Sequence, residues 1–333
     1  MLRDSYGREI RDLRVSLTDR CNFRCFYCLP NAKPTLIHKS NILTFEELTE
    51  ICSIFVELGI NKIRLTGGEP LLRKNAVTLV AGLDQLRQDT PERPFDLALT
   101  TNGYLFPQVA GDLKAAGLDR VTLSLDSLKP ERFEKITEVD ALDKVYESIA
   151  AAKRVGLEPV KINAVIVRGW NDDEIVDFAR FAREFDVSVQ FIEFMPLDSD
   201  NDWKREQVVS GKEIFASIDA VFPIELVQAT RGSGTSWKYR FKDGAPGEIG
   251  IIAPVTEMFC GACSRIRLTA DGQIRTCLFS RVEYDLRDEL RRGASRGELI
   301  DFIRDAVNKK EPRHYINDPE FAPASRSMSF IGG

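Results

Sequence analysis

Between Leu13 and Glu193 six short strand-like runs alternate with helical stretches, and most of the runs are apolar on one face and polar on the other. The runs are LRVSL (13–17), KIRLT (62–66), DLALT (96–100), RVTLSLD (120–126), VKINAVIV (160–167) and VSVQFIEF (187–194). Repeated strand–helix units imply a parallel sheet with helices outside. Strands buried on both faces are normally apolar throughout. Here Leu13, Val15, Ile63, Leu65, Val121 and Leu123 make the face that must meet the helices. Arg14, Ser16, Lys62, Arg64, Thr122, Ser124, Lys161 and Asn163 are left pointing inward. Six units fall short of the eight of a full barrel. The expectation is a partial (β/α)6 TIM-like barrel with an open side, and a doubly wound sheet is the competitor.

Helix punctuation agrees with the strands. Thr44-x-x-Glu47 is a capping box ahead of Leu48, Ile51, Cys52 and Phe55. Asn171 and Asp172 are expected N-caps before Ile175, Phe178 and Phe181. Gly59, Gly117 and Gly156 stand where helix C-terminal glycines belong. The barrel is expected over residues 1–196, with a C-terminal region over 197–333 that closes it. In that region SGKEIFASI (210–218) reads as a capped helix and TRGSGTSWKYRF (230–241) as a turn followed by a strand.

Inward-facing cations need anionic partners, because an unpaired buried charge costs several kcal/mol or more. Asp126 and Glu193 are candidate internal partners, but Arg14, Lys62, Arg64 and Lys161 are too many for them. A wet cavity holding a polyanion suits these residues better, since Arg and Lys are the usual partners of phosphate. The net charge of −5 excludes a broad nucleic-acid footprint and leaves room only for a local basic pocket. The first residues, MLRDSYGREIRDLRV, contain no apolar core of a secretion signal, and no run approaches 18 apolar residues. The expectation is therefore a cytoplasmic protein without membrane or nucleic-acid partners.

The seven cysteines fall into two triads and a singleton. Cys52, on an apolar helical face, reads as core. Cys21, Cys25 and Cys28 follow the first strand, at the end where barrel active sites sit. Cys260, Cys263 and Cys277 form a second set, with Arg265 and Arg267 alternating just after Cys263. A structural zinc site takes four protein ligands. His38 could complete the first set, whereas nothing nearby in sequence completes the second, His314 lying 37 residues beyond Cys277. Three thiolates suit a [4Fe–4S] cluster whose fourth iron is left open.

The spacing C-x₃-C-x₂-C with Tyr27 before the last cysteine resembles the signature of the radical S-adenosylmethionine (SAM) superfamily. Gly67-Gly68-Glu69-Pro70 after the second strand resembles that superfamily's GGE motif. The two triads together resemble the GTP 3′,8-cyclase family of molybdenum cofactor biosynthesis. So do "KIRLTGGEPLLR", "VTLSLDSL", "FIEFMP", "FCGACSRIRLTADGQIRTCLF" and the final "FIGG". The resemblance implies two [4Fe–4S] clusters. It implies SAM contacts at Tyr27, Gly67, Gly68, Glu69, Ser124 and Met195. GTP contacts are implied at Arg14, Lys62, Arg64, Thr100, Lys161 and the stretch Arg265, Ile266 and Arg267. Arg265, Arg267, Gly332 and Gly333 are implied as catalytic residues, the tail reaching into the site.

The chemistry so implied is reductive cleavage of SAM, removal of hydrogen from ribose C3′ of GTP by a 5′-deoxyadenosyl radical, addition of the C3′ radical to guanine C8, and reduction of the resulting radical by one electron with uptake of a proton. The product would be (8S)-3′,8-cyclo-7,8-dihydroguanosine 5′-triphosphate. An external flavodoxin- or ferredoxin-like electron donor, a downstream cyclic pyranopterin monophosphate synthase and a homodimer are implied partners. A peptide-modifying radical SAM enzyme and a zinc-stabilised binding protein are the alternatives. Neither calls for the GGEP turn, the inward cations and the double glycine together.

Overall fold

The computed structural model of the chain describes residues 1–29, 36–197, 203–323 and 326–332. The six expected strands are present within two residues of their sequence limits. In chain order the elements are β1 (Asp12–Ser16), α1 (Phe45–Glu57), β2 (Lys62–Thr66), α2 (Ala76–Asp89), β3 (Asp96–Thr101), α3 (Phe106–Ala115) and β4 (Arg120–Ser124). Then come α4 (Pro130–Thr137), α5 (Leu142–Arg154), β5 (Lys161–Ile166), α6 (Ile175–Phe185) and β6 (Ser188–Glu193). Neighbouring strands from β1 to β6 pair in parallel and in sequence order. A doubly wound sheet reverses its order at a switch point. This one does not, so the partial barrel is the fold.

The rest of the chain extends the same sheet at both edges. It adds α7 (Gly211–Asp219), β7 (Ile224–Leu226), β8 (Trp237–Phe241), β9 (Glu248–Ile252), β10 (Arg265–Leu268), β11 (Gln273–Arg275) and β12 (Tyr284–Asp285). It ends with α8 (Leu286–Arg291), α9 (Arg296–Asn308) and α10 (Met328–Ile331). β9 lies parallel to β6 and β10 parallel to β1, and antiparallel pairs continue outward to β7 and β12, which do not meet. The sheet is thus open, as six units predicted.

Local signals explain the elements. The Thr44–Glu47 capping box is complete, as is one at Ser210–Glu213 that starts α7. Gly59, Gly117 and Gly156 each take positive φ after their helices. The N-caps expected at Asn171 and Asp172 are not made. A 3₁₀ turn over Asp172–Glu174 precedes α6, and the Asn171 amide is spent elsewhere. It donates to the Asp126 and Val165 carbonyls, and its oxygen accepts from the Val167 N–H. Side-chain bonding to nearby backbone outcompetes capping here.

Leu13, Val15, Ile63, Leu65, Val121 and Ile162 are at most 1 % exposed and form one core with the helices. Their alternating partners face the other way, into the barrel. The pleat therefore sorts each strand into a packed face and a cavity face.

Candidate functional site

A cavity of about 400 Å³ occupies the barrel. Arg14, Lys62, Arg64, Thr100, Lys161, Met195, Arg265, Arg267, Cys260, Cys263 and Cys277 all line it. Strand register explains the grouping. Arg14 on β1 pairs with Arg267 on β10 and with Arg64 on β2, so three guanidinium side chains leave adjacent strands side by side. One pleat away Arg265, Asp12 and Lys62 form a second row. Adjacent strands are about 4.8 Å apart, and like charges opposite one another destabilise a sheet.

The expected internal partners are occupied elsewhere. The Glu193 carboxylate accepts the N–H groups of Gly211, Val255 and Thr256 at 2.8–2.9 Å. Asp126 accepts the Tyr27 hydroxyl at 2.5 Å and the Val165 N–H at 2.8 Å. Among the described residues no carboxylate lies within ion-pair distance of Arg14, Lys161 or Arg267, and the Arg14 Nε is buried without a hydrogen bond. Asp12, which its apolar run does not point to, lies inside the array, 3.6 Å from Lys62 Nζ. Arg64 donates to the Thr100 and Thr122 hydroxyls at 3.0 and 2.9 Å.

The cations respond as crowded, desolvated groups should. Burial, then the charges of Lys238, Arg120, Arg64 and Lys62, pushes Lys161 down to about 8. Burial, with neighbouring Arg265 and Arg64 opposing the pull of Asp12, brings Arg14 down to about 10. Arg267 is driven well below its ordinary value by burial and by Arg14.

The second triad sits at the edge of this array. Burial raises the Cys263 thiol, but Arg265 and Lys310 outweigh it and bring the thiol down to about 7. Arg265 Nη2 donates to Cys263 Sγ at 3.3 Å. Its guanidinium and that of Arg231 lie 4.9 and 4.6 Å from the Phe259 ring centroid, one residue before Cys260. Ile266 is different: its side chain is 1 % exposed in the core, so only its backbone could face a ligand.

The first triad lies beyond the C-terminal strand ends and does not line the cavity. Burial raises the Cys21 and Cys28 thiols to about 11 and about 12. The glycines of GGEP make room for the backbone entering this loop. A Cβ on Gly67 would lie 2.5 Å from the Thr18 carbonyl, and one on Gly68 2.2 Å from the Arg20 carbonyl. Glu69 is 1 % exposed and accepts from Thr101 Oγ1, Asn102 N and Leu71 N at 2.8–3.0 Å. Burial still raises it to about 7. Asn102, missed in sequence, donates towards Cys21 Sγ at 3.9 Å. Ser124 ends β4, opposite Asn163.

All seven cysteines are free thiols. Among the described residues no three Cys, His, Asp or Glu side chains converge on the position of a single metal ion. A cubane cluster holds its thiolates farther apart than one tetrahedral ion does. Each triad, with a partly exposed loop of three thiols, fits such a cluster. His38 does not join the first triad, because its Nδ1 pairs with Ser40 Oγ at 2.7 Å on an exposed turn.

The tail runs between the two triads. The Ser329 N–H lies near enough to the Cys28 sulfur to oppose the rise of its pKa, Met328 lines the cavity, and Arg267 Nη1 donates to the Ile331 carbonyl at 3.4 Å. Gly332 is buried against β1 and β2, with φ +77°. Gly333 lies outside the described residues.

Comparison with known proteins bears on this arrangement. The Radical SAM superfamily matches residues 15–182, and Molybdenum Cofactor Synthesis C matches residues 187–316. A GTP 3′,8-cyclase of Heliobacterium modesticaldum is 44 % identical over 331 residues, covering 99 % of both chains. The chain belongs to the GTP 3′,8-cyclase family. A second GTP 3′,8-cyclase, from Streptomyces coelicolor, is 45 % identical over 335 residues, covering 100 % of this chain and 96 % of that one. Among solved structures, Streptococcus suis SuiB bound to S-adenosylmethionine superposes with a TM-score of 0.63 at 13 % identity, over 94 % of this chain and 67 % of that one. The anSMEcpe structure with bound AdoMet gives 0.60 at 16 % identity, over 92 % and 82 %. These two likenesses concern the fold alone.

Proposed function

We propose that this chain converts GTP to (8S)-3′,8-cyclo-7,8-dihydroguanosine 5′-triphosphate, the first step of molybdenum cofactor biosynthesis. Two [4Fe–4S] clusters and SAM would serve the reaction. The observation that carries the reading is the row Arg267–Arg14–Arg64, set in one cavity with Lys161 and the thiols of the second triad. Such a row is electrostatically incomplete until a polyanion enters, and a nucleoside triphosphate supplies one.

In this reading Cys21, Cys25 and Cys28 hold the first cluster and Cys260, Cys263 and Cys277 the second. SAM bound at the first cluster would supply a hydrogen-abstracting 5′-deoxyadenosyl radical. Tyr27, Gly67, Gly68, Glu69, Ser124 and Met195 would frame SAM, mostly at the strand ends. Arg14, Lys62, Arg64 and Lys161 would bind the triphosphate, Thr100 keeping the Arg64 guanidinium in place. Arg265 and Arg267 would hold the base end near the second triad, with the tail at Ile331 and Gly332 closing over them. The chain's work is to fix ribose C3′ against the radical source and exclude water, because a misplacement of about 1 Å can cost about a hundredfold in rate.

The proposal divides the chain into a SAM half, 1–196, and a substrate-anchoring half, 197–333. It includes an external one-electron donor, transfer of product to cyclic pyranopterin monophosphate synthase, a homodimer and a cytoplasmic setting. No described helix is long and apolar enough to cross a membrane. Anaerobic reconstitution with iron and sulfide, then incubation with SAM, GTP and reductant, tests the reading. Mass spectrometry should find 5′-deoxyadenosine together with an isomer of GTP lacking the free 3′ C–H. Formation of 5′-deoxyadenosine without that nucleotide would contradict it.

A further inference from the structure

His314 is 6 % exposed and lines the cavity in the neighbourhood of the second triad, yet no well-formed hydrogen bond reaches either ring nitrogen; the Pro254 carbonyl is close enough to act on the ring but is not aligned as a full partner. In the sequence it lies 37 residues beyond Cys277, too far to read as its neighbour. The fold brings it back. Its ring packs against Phe279 with centroids 5.3 Å apart, and Phe279 follows Cys277 by two residues.

The polar neighbours on that wall are already engaged. Lys310 Nζ donates to the carbonyls of Arg265 and Thr276. Glu311 accepts from Thr276 Oγ1 at 2.7 Å. Arg313 forms a two-pronged pair with Asp318 at 2.8 and 2.9 Å. Arg265 is on the Cys263 sulfur. His314 therefore keeps hydrogen-bonding capacity; of the neighbours named, Arg265 also has its Nε left without a partner, but that nitrogen can only donate. A buried polar group left without a partner calls for an explanation, and a ligand is one.

The ring's chemistry narrows the ligand. Burial lowers its pKa, with a smaller opposing pull from the Pro254 carbonyl, so the imidazole is neutral near pH 7. A carbonyl can only accept, so it favours N–H on the nitrogen nearest to it. The other nitrogen is then an acceptor. A neutral acceptor among cations is poorly suited to phosphate, which Arg14, Arg64 and Lys161 already await. It suits the donor groups on the edge of a nucleobase.

We propose that His314 reads the purine, its free ring nitrogen accepting a hydrogen bond from an N–H of the guanine edge. Adenine has no N–H at ring positions 1 and 2 and would leave this acceptor unmet. The inference rests on the GTP reading above and extends it to base selection.

The test is equilibrium binding of GTP and ATP to the reconstituted full-length protein, wild type against His314→Phe and His314→Asn. His314→Phe keeps the ring and removes the acceptor. It should weaken GTP about tenfold while leaving ATP within about twofold, so the preference for GTP collapses. His314→Asn, which returns an acceptor, should recover part of the loss. EPR of the second cluster should be unchanged in both variants. Equal weakening of GTP and ATP, GTP affinity within about twofold of wild type, or loss of the second-cluster signal in both variants would overturn the proposal. Failure of the wild type to bind GTP would instead overturn the GTP reading, and this inference with it.

Discussion

Arg267 on β10 donates to the carbonyl of Ile331, 3.4 Å away, so a cation of the proposed substrate site is held by the residue just before the final two glycines. The next residue explains why a glycine is required. At Gly332 φ is +77°, and a Cβ there would meet the Ser16 hydroxyl at 2.4 Å and Thr66 Cγ2 at 3.0 Å. Left-handed backbone costs a non-glycine residue about 1–2 kcal/mol before any clash is counted. Gly332→Ala should therefore release the tail from β1 and β2. Carboxypeptidase digestion followed by mass spectrometry should show the tail trimmed at least about tenfold faster than in wild type. An unchanged rate would mean that the tail is not held here.

Substrate affinity should titrate with Lys161. Its pKa of about 8 means that it is charged at neutral pH and neutral above that value. The Kd for GTP should be level below pH 8 and rise above it, by up to about tenfold per pH unit as the cation is lost. In Lys161→Arg the rise should move well above pH 9, since arginine keeps its proton. The effect on folding runs the other way. Between about 8 and the unfolded value of 10.5 the unfolded chain holds the extra proton, so stability contributed by this site increases with pH in that window.

Glu193 is the fold's clasp on the second half of the site. It is fully buried, and its carboxylate satisfies the backbone N–H groups of Gly211, Val255 and Thr256 together with the Thr256 hydroxyl. Those groups start α7 and set the approach to the second triad. Glu193→Ala leaves the buried N–H groups of Gly211 and Val255 unpaired, at about 1–3 kcal/mol each in the limit of no relaxation, whereas Thr256 is exposed and can turn to water. Urea unfolding should show a loss of about 3–5 kcal/mol. A loss below about 1 kcal/mol would mean that the surroundings collapse onto the site.

Much of this was legible in residues. The alternation in LRVSL and KIRLT separated a helix-facing side from a cation-bearing side, and the pleat keeps that separation because period 2 is built into a strand. The cavity cations of β1, β2 and β5 followed directly. What could not be read was the long-range closure. β10 joins β1 across 250 residues of chain, and only that pairing sets Arg267 beside Arg14. Asp12 was missed because the first strand begins one residue earlier than its apolar run suggests. His314 was missed because its neighbourhood is assembled by Phe279 and Pro254, neither of which is close to it in sequence. Asn171 was misread as a cap because a distant carbonyl, that of Asp126, claims its amide.

The two triads should be separable. Their thiols stand in different surroundings, Cys263 lowered to about 7 by its cationic neighbours and Cys28 raised to about 12 by burial. Cys263→Ala should reduce reconstituted iron from about eight to about four atoms per chain and leave one cluster signal by EPR. That protein should lose cyclisation. Loss of both signals would mean that the triads depend on one another.

The central claim is that the cation row holds GTP with its ribose C3′ turned towards the radical source. The most direct test uses GTP carrying deuterium at C3′, incubated anaerobically with the reconstituted protein, SAM and a reductant. Mass spectrometry of the 5′-deoxyadenosine formed should show it one mass unit heavier, the deuterium having moved from C3′. Unlabelled 5′-deoxyadenosine formed alongside turnover of the labelled GTP would contradict the account.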